Sequence, residues 1–88
     1  MKRMRSLQYN LVFRSEPEGG FTVFVPSLPG CITYGKDLAE AKAMALDAIE
    51  CYVASLRADD EEIPSDNETF TSVIDIQSKS NDKLLTNA

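Results

Sequence analysis

The chain has 88 residues, 43% hydrophobic and 26% charged, a composition that excludes a membrane-embedded protein and a wholly disordered one. Nine basic and fourteen acidic side chains give a net charge of −5, and there is no histidine; this removes histidine general bases, Ser-His and Cys-His nucleophile pairs and histidine-ligated zinc. Two cysteines are too few for a four-thiolate metal site, and the acidic balance argues against non-specific nucleic-acid binding.

The first five residues carry the basic side chains Lys2, Arg3 and Arg5. An alternating, partly polar run follows them where a signal peptide would have an apolar core. No stretch reaches the ~20 apolar residues of a membrane span. A cytoplasmic protein with Cys31 and Cys51 reduced is therefore expected.

From Leu7 to Arg14 the residues alternate, with Leu7, Tyr9, Leu11 and Phe13 on one face, which predicts a half-buried strand. Ser15-Glu16-Pro17-Glu18-Gly19-Gly20 supplies turn chemistry. A second strand is expected from Phe21 to Pro26, with Phe21, Val23 and Val25 on one face and Thr22 and Phe24 on the other, forming an antiparallel hairpin with the first. Pro26-Ser27-Leu28-Pro29-Gly30 lacks two backbone donors and cannot continue a ladder, so it bends the chain over the sheet edge. Cys31 to Tyr34 resumes a short strand.

Asp37-Leu38-Ala39-Glu40 is a capping-box variant at the head of an alanine-rich run, free of glycine and proline, that reaches about Ala58. Leu38, Ala41, Ala45, Ala48, Ile49, Tyr52 and Leu56 form an apolar stripe along it. The acidic run Asp59-Asp60-Glu61-Glu62 opposes the dipole at the helix C-terminus and so ends the helix. After the loop Ile63 to Asp66, Phe70 to Ile76 is expected as a fourth strand, with Phe70, Ile74 and Ile76 on one face and Val73 on the other. The expected organisation is one domain over residues 1–77 and a flexible polar tail over 78–88, whose apolar pair is Leu84-Leu85.

The order β-β-β-α-β describes an α+β fold: a three-stranded antiparallel meander, one amphipathic helix packed on it, and a fourth strand placed parallel to the first. This order resembles the first half of the RNase H-like fold. A nuclease of that class needs carboxylates converging on two metal ions about 4 Å apart. Strand one instead carries Tyr9-Asn10-Leu11 where a metal-binding aspartate would stand, and the other acids are scattered. No catalytic residue, metal or cofactor is expected. The six acids between Asp59 and Glu68 offer a landing surface for a basic partner.

Tyr9 to Phe13, Glu18-Gly19-Gly20-Phe21-Thr22-Val23, Val25-Pro26-Ser27-Leu28-Pro29-Gly30-Cys31-Ile32-Thr33-Tyr34-Gly35 and Leu38-Ala39-Glu40-Ala41 together resemble the HicB antitoxin family over roughly residues 7 to 76. The resemblance implies a partial RNase H-like fold without nuclease carboxylates. It also implies a role in a type II toxin–antitoxin pair, whose partner, HicA, is a small basic ribonuclease with one essential histidine that the antitoxin covers. Many HicB proteins continue into a DNA-binding domain, so a short form without direct operator binding is expected. Ser27 and Lys36 stand where some members carry acids.

The leading expectation is thus a non-enzymatic antitoxin that neutralises a HicA-like toxin. Partner contacts are assigned to Pro26, Ser27, Leu28, Pro29, Gly30 and Cys31 of the bend and to Asp59, Asp60, Glu61 and Glu62. A homodimer or higher homo-oligomer is also expected. Alternatives are an orphan homo-oligomeric module without a toxin and a residual metal-dependent nuclease.

Overall fold

Three short strands and one long helix follow from the alternating and helical patterns in turn. The computed structural model describes residues 6–78. The basic residues Lys2, Arg3 and Arg5, the pair Leu84-Leu85 and nearly all of the 78–88 tail lie outside the described residues. The elements are β1 (Val12–Ser15), β2 (Phe21–Phe24), β3 (Ile32–Gly35) and α1 (Leu38–Ala58). The strands form one antiparallel sheet in the order β1-β2-β3, so the expected hairpin and meander are present and the class is α+β.

The register separates two faces. Phe13, Val23 and Thr33 line up across the sheet on one side, as do Ser15, Phe21 and Gly35. Val12, Phe24 and Ile32 form a row on the opposite side, with Arg14, Thr22 and Tyr34 beside them. The first face takes the helix: Val23, Ala41 and Ala45 are fully buried against one another, with Leu11, Phe13 and Phe21 packed around them. Alanine at these positions lets the helix approach closely, and Gly35 completes the fit, since a Cβ there would collide with the backbone of Ala41. Among the described residues no element covers the second face, and Val12 and Ile32 are largely exposed.

The helix begins where its cap predicts. The Asp37 carboxylate accepts the Glu40 amide at 2.8 Å. Glu40 reaches back one residue farther than in a standard capping box and accepts the Lys36 amide at 2.7 Å. At the other end Asp59 caps the helix and Asp60 takes the left-handed conformation, φ 58°. Asp60 N–H donates to the Arg57 carbonyl and Glu61 N–H to the Leu56 carbonyl, the paired bonds of a Schellman motif.

Four expectations are corrected. Residues 7–11 form no sheet ladder: Tyr9, Leu11 and Phe13 still face the core, but only Val12–Ser15 pairs with β2. Strand two stops at Phe24, and strand three runs Ile32–Gly35, because the intervening bend takes Val25 and Cys31 for its own bonds. Leu38, placed in the apolar stripe, is 54% exposed, whereas Val53 is buried. Phe70 to Ile76 has no regular structure and pairs with no described strand. Phe70, Val73, Ile74 and Ile76 are 83–90% exposed.

Candidate functional site

The bend from Val25 to Cys31 is a self-bonded knuckle. Val25 N–H donates to the Cys31 carbonyl, Leu28 N–H to that of Val25, and Cys31 N–H to that of Leu28. Gly30 supplies the positive φ of 83° that closes the turn. Leu28 is fully buried and Cys31 nearly so; with Val25 they form a second core cluster, packed by Tyr9, Leu11, Ala48, Ile49 and Tyr52. The interior of the knuckle is therefore structural, and its outward rim is Pro26, Pro29 and Gly30.

Two side chains fasten this knuckle to the rest of the molecule. The Tyr52 hydroxyl, from the helix, donates to the Pro29 carbonyl at 2.8 Å. The Ser27 hydroxyl donates to the carboxylate of Asp66, which is only 6% exposed. Asp66 is satisfied on its other oxygen by the Asn10 amide at 2.8 Å, and its own amide donates to the Gln8 carbonyl. A buried carboxylate needs such donors to offset lost hydration. Around it, Asn67 accepts the Gln8 amide and donates to the Ser6 carbonyl, and the Tyr9 hydroxyl donates to the Pro64 carbonyl. Burial first, then the negative charge of Asp66, pushes the Tyr9 phenol above its usual range, while Arg57 pulls it the other way.

Tyr52 also brings the two sequence-assigned contact regions to one end of the molecule. Besides holding Pro29, it lines a cleft of about 250 Å³ with Ser55, Leu56, Asp59 and Glu61. Asp59, Asp60, Glu61 and Glu62 are all exposed. Their charges stand at the negative end of the helix dipole, so the local field is more negative than the four carboxylates alone would make it. Asp66 was assigned only to the acidic cluster by the sequence, but it is instead the internal tie that positions the knuckle.

Nothing in the site supplies an activated nucleophile. Cys31 is buried and its thiol is pushed up by desolvation; Cys51 is exposed on the helix. Among the described residues, no three carboxylate or thiol side chains converge as a metal site. No helix of the described residues is long and apolar enough to cross a membrane. The arrangement presents a shaped acidic surface at this end of the molecule.

Residues 9–82 match the family model described as HicB_like antitoxin of bacterial toxin-antitoxin system. A UPF0150 protein of Thermoplasma acidophilum is 39% identical over 61 residues, covering 69% of this chain and 88% of that protein. A UPF0150 protein of Synechocystis is 34% identical over 59 residues, 67% of this chain and 75% of its own length. An uncharacterized 14.9 kDa protein of Haemophilus phage HP1, from its rep-hol intergenic region, is 42% identical over 48 residues, which cover 54% of this chain but 36% of the phage protein.

Proposed function

This chain belongs to the HicB-like antitoxins of bacterial toxin–antitoxin systems, and from that membership we propose that it is a cytoplasmic, non-enzymatic antitoxin that sequesters a small basic ribonuclease of the HicA type by covering its active site. The observation that carries the reading is the exposed carboxylate run Asp59–Glu62 at the helix C-terminus, beside the knuckle that Tyr52 holds in place. Those like charges repel one another and the helix dipole in the free protein. A basic partner relieves that repulsion on binding and is steered toward the same spot before contact.

Long-range charge sets the encounter rate, whereas affinity needs desolvated apolar contact. Pro26, Pro29 and Gly30 on the rim supply that contact, with Ser27 partly accessible between them. Leu28 and Cys31 act from inside, by fixing the rim's shape. The active-site histidine belongs to the toxin, which accounts for a chain that carries none.

Co-expression with the small basic reading frame adjacent to this gene tests the proposal. Relief of growth arrest and co-purification of the two chains is the expected outcome. Persistent toxicity with no complex, both proteins being soluble, overturns it.

A further inference from the structure

The cleft at the end of the helix has the lining of a receptor for a long cationic side chain. Tyr52 and Leu56 offer apolar surface to an aliphatic stem, and Ser55, Asp59 and Glu61 offer acceptors to its charged head. Among the described residues, no basic side chain pairs with Asp59, Asp60, Glu61 or Glu62. The chain itself brings cations to this place. Asn67 clamps the first described residues: its side-chain amide donates to the Ser6 carbonyl at 2.9 Å, and its side-chain oxygen accepts the Gln8 amide at 2.8 Å. The Tyr9 hydroxyl adds a bond to the Pro64 carbonyl. Ser6 is thereby fixed against the loop into which the acidic run leads, and the five residues before it include Lys2, Arg3 and Arg5.

We propose that residues 1–5 form a basic strap that closes over this cleft in the free chain, Lys2 and Arg3 pairing with the acidic run, and that a basic partner displaces it on docking. Direction and reach both support the placement. Asp66 N–H donates to the Gln8 carbonyl, and the Asn10 side chain donates to the Thr69 carbonyl, so the two segments advance side by side in the same sense. Continued backwards in step, that pairing brings Lys2 and Arg3 alongside Asp60, Glu61 and Glu62. Five extended residues span about 17 Å, enough to run beside the stretch from Asp59 to Ile63 residue for residue.

The electrostatics favour closure without making it tight. Lys2, Arg3 and Arg5 face the four carboxylates of Asp59–Glu62 at the negative end of the helix dipole. A short tether holds the two charge sets at an effective concentration in the millimolar range. Each exposed pair is nevertheless weak and screened by salt. The strap therefore relieves part of the repulsion in the free chain and yields to a stronger ligand. The consequence is selectivity. A molecule that is merely cationic competes with the strap on equal terms, whereas one that also packs on Pro26, Pro29 and Gly30 displaces it.

Closure is a property of the free chain, while its displacement by a toxin rests on the antitoxin reading, and the measurements separate the two. Amide NMR spectra of the full chain and of a Lys2→Gln, Arg3→Gln variant at low salt should differ at Tyr52, Ser55, Leu56 and Asp59 to Glu62. The difference should vanish in about 0.5 M sodium chloride. A Lys36→Gln, Lys42→Gln variant, altered at two exposed lysines, has the same net charge and should leave those amides unmoved. Carbodiimide coupling of dilute protein should join Lys2 to a carboxylate of 59–62 within one chain. Identical spectra at low salt, shifts shared by the charge-matched variant, or coupling only between chains overturns the strap. With a HicA-type toxin, Lys2→Gln, Arg3→Gln should associate about 3-fold or more faster than the charge-matched variant, and equal rates overturn the displacement. A toxin bound by none of the three proteins overturns the antitoxin reading and the displacement with it, leaving the strap to the spectra. A normal complex without the spectral difference does the reverse.

Discussion

The Asp66 carboxylate accepts the Ser27 hydroxyl across 39 residues of sequence, joining the loop after the helix to the knuckle between β2 and β3. Through its second oxygen it also holds the Asn10 amide, so one buried side chain locks three segments at the end of the molecule where partner contact is proposed.

Replacing Asp66 by alanine leaves the Ser27 hydroxyl and the Asn10 amide without their acceptor. The cost should be on the order of 3 kcal/mol, a large part of the stability of a domain this size. Asp66→Asn keeps one acceptor and should cost about 1 kcal/mol. Urea denaturation of the three proteins measures both. A change under about 0.5 kcal/mol for the alanine variant would show the tie to be incidental.

Asp60 holds a left-handed conformation with φ 58° at the position after the helix cap. Glycine reaches that conformation without the Cβ penalty, and removing one carboxylate also relieves the dipole. Asp60→Gly should therefore stabilise the fold by roughly 0.5–1 kcal/mol, raising Tm by several degrees. A fall in Tm would mean that the Asp60 side chain makes a contact outweighing its strain.

The two thiols should react very differently. Cys51 is exposed, while Cys31 lies in the second core cluster with its thiol pushed up by desolvation. A chromogenic disulfide reagent at pH 8 should titrate one thiol promptly in the native protein and the second only after unfolding. Equal rates would contradict the burial of the knuckle.

Tyr9 gives a prediction on the alkaline side. Its folded pKa lies above the unfolded value, because burial and then Asp66 disfavour the phenolate. Its contribution is thus fully present below the ordinary tyrosine pKa of about 10 and is lost as pH rises through the folded value. Tyr9→Phe, which also lacks the bond to Pro64, should be less stable at pH 7 yet lose less stability between pH 9 and 11. Parallel slopes of stability against pH in that window would refute the assignment.

How much of this was legible in the sequence depended on whether a feature is local. The helix from Leu38 to Ala58 was, because its cap, its freedom from glycine and proline and its acidic stop are all written within the segment. The hairpin and the inward faces of Tyr9, Leu11, Phe13 and Val23 were too, since alternation reports which side meets the core. Alternation does not report backbone pairing, and so residues 7–11 looked like ladder but are held by the loop 64–69 instead. Phe70 to Ile76 carries a strand pattern yet pairs with no described strand, because alternation reports faces and not partners. The exposure of Leu38 and burial of Val53 depend on where the sheet lies beneath the helix, which no periodicity specifies. Asp66 was the least visible: in a polar loop it reads as one more solvated acid, and only its long-range donors distinguish it.

We propose that this chain silences a basic ribonuclease by occupying its active site through the acidic end and the knuckle rim. The most direct measurement is RNA cleavage by a purified HicA-type ribonuclease encoded beside this gene, during titration with this protein. Cleavage should fall linearly and vanish near one binding equivalent. Neutralising Asp59, Asp60, Glu61 and Glu62 to their amides should slow association by roughly 10-fold or more at low salt, with a weaker salt dependence. Undiminished cleavage at a large excess of folded protein would contradict the account.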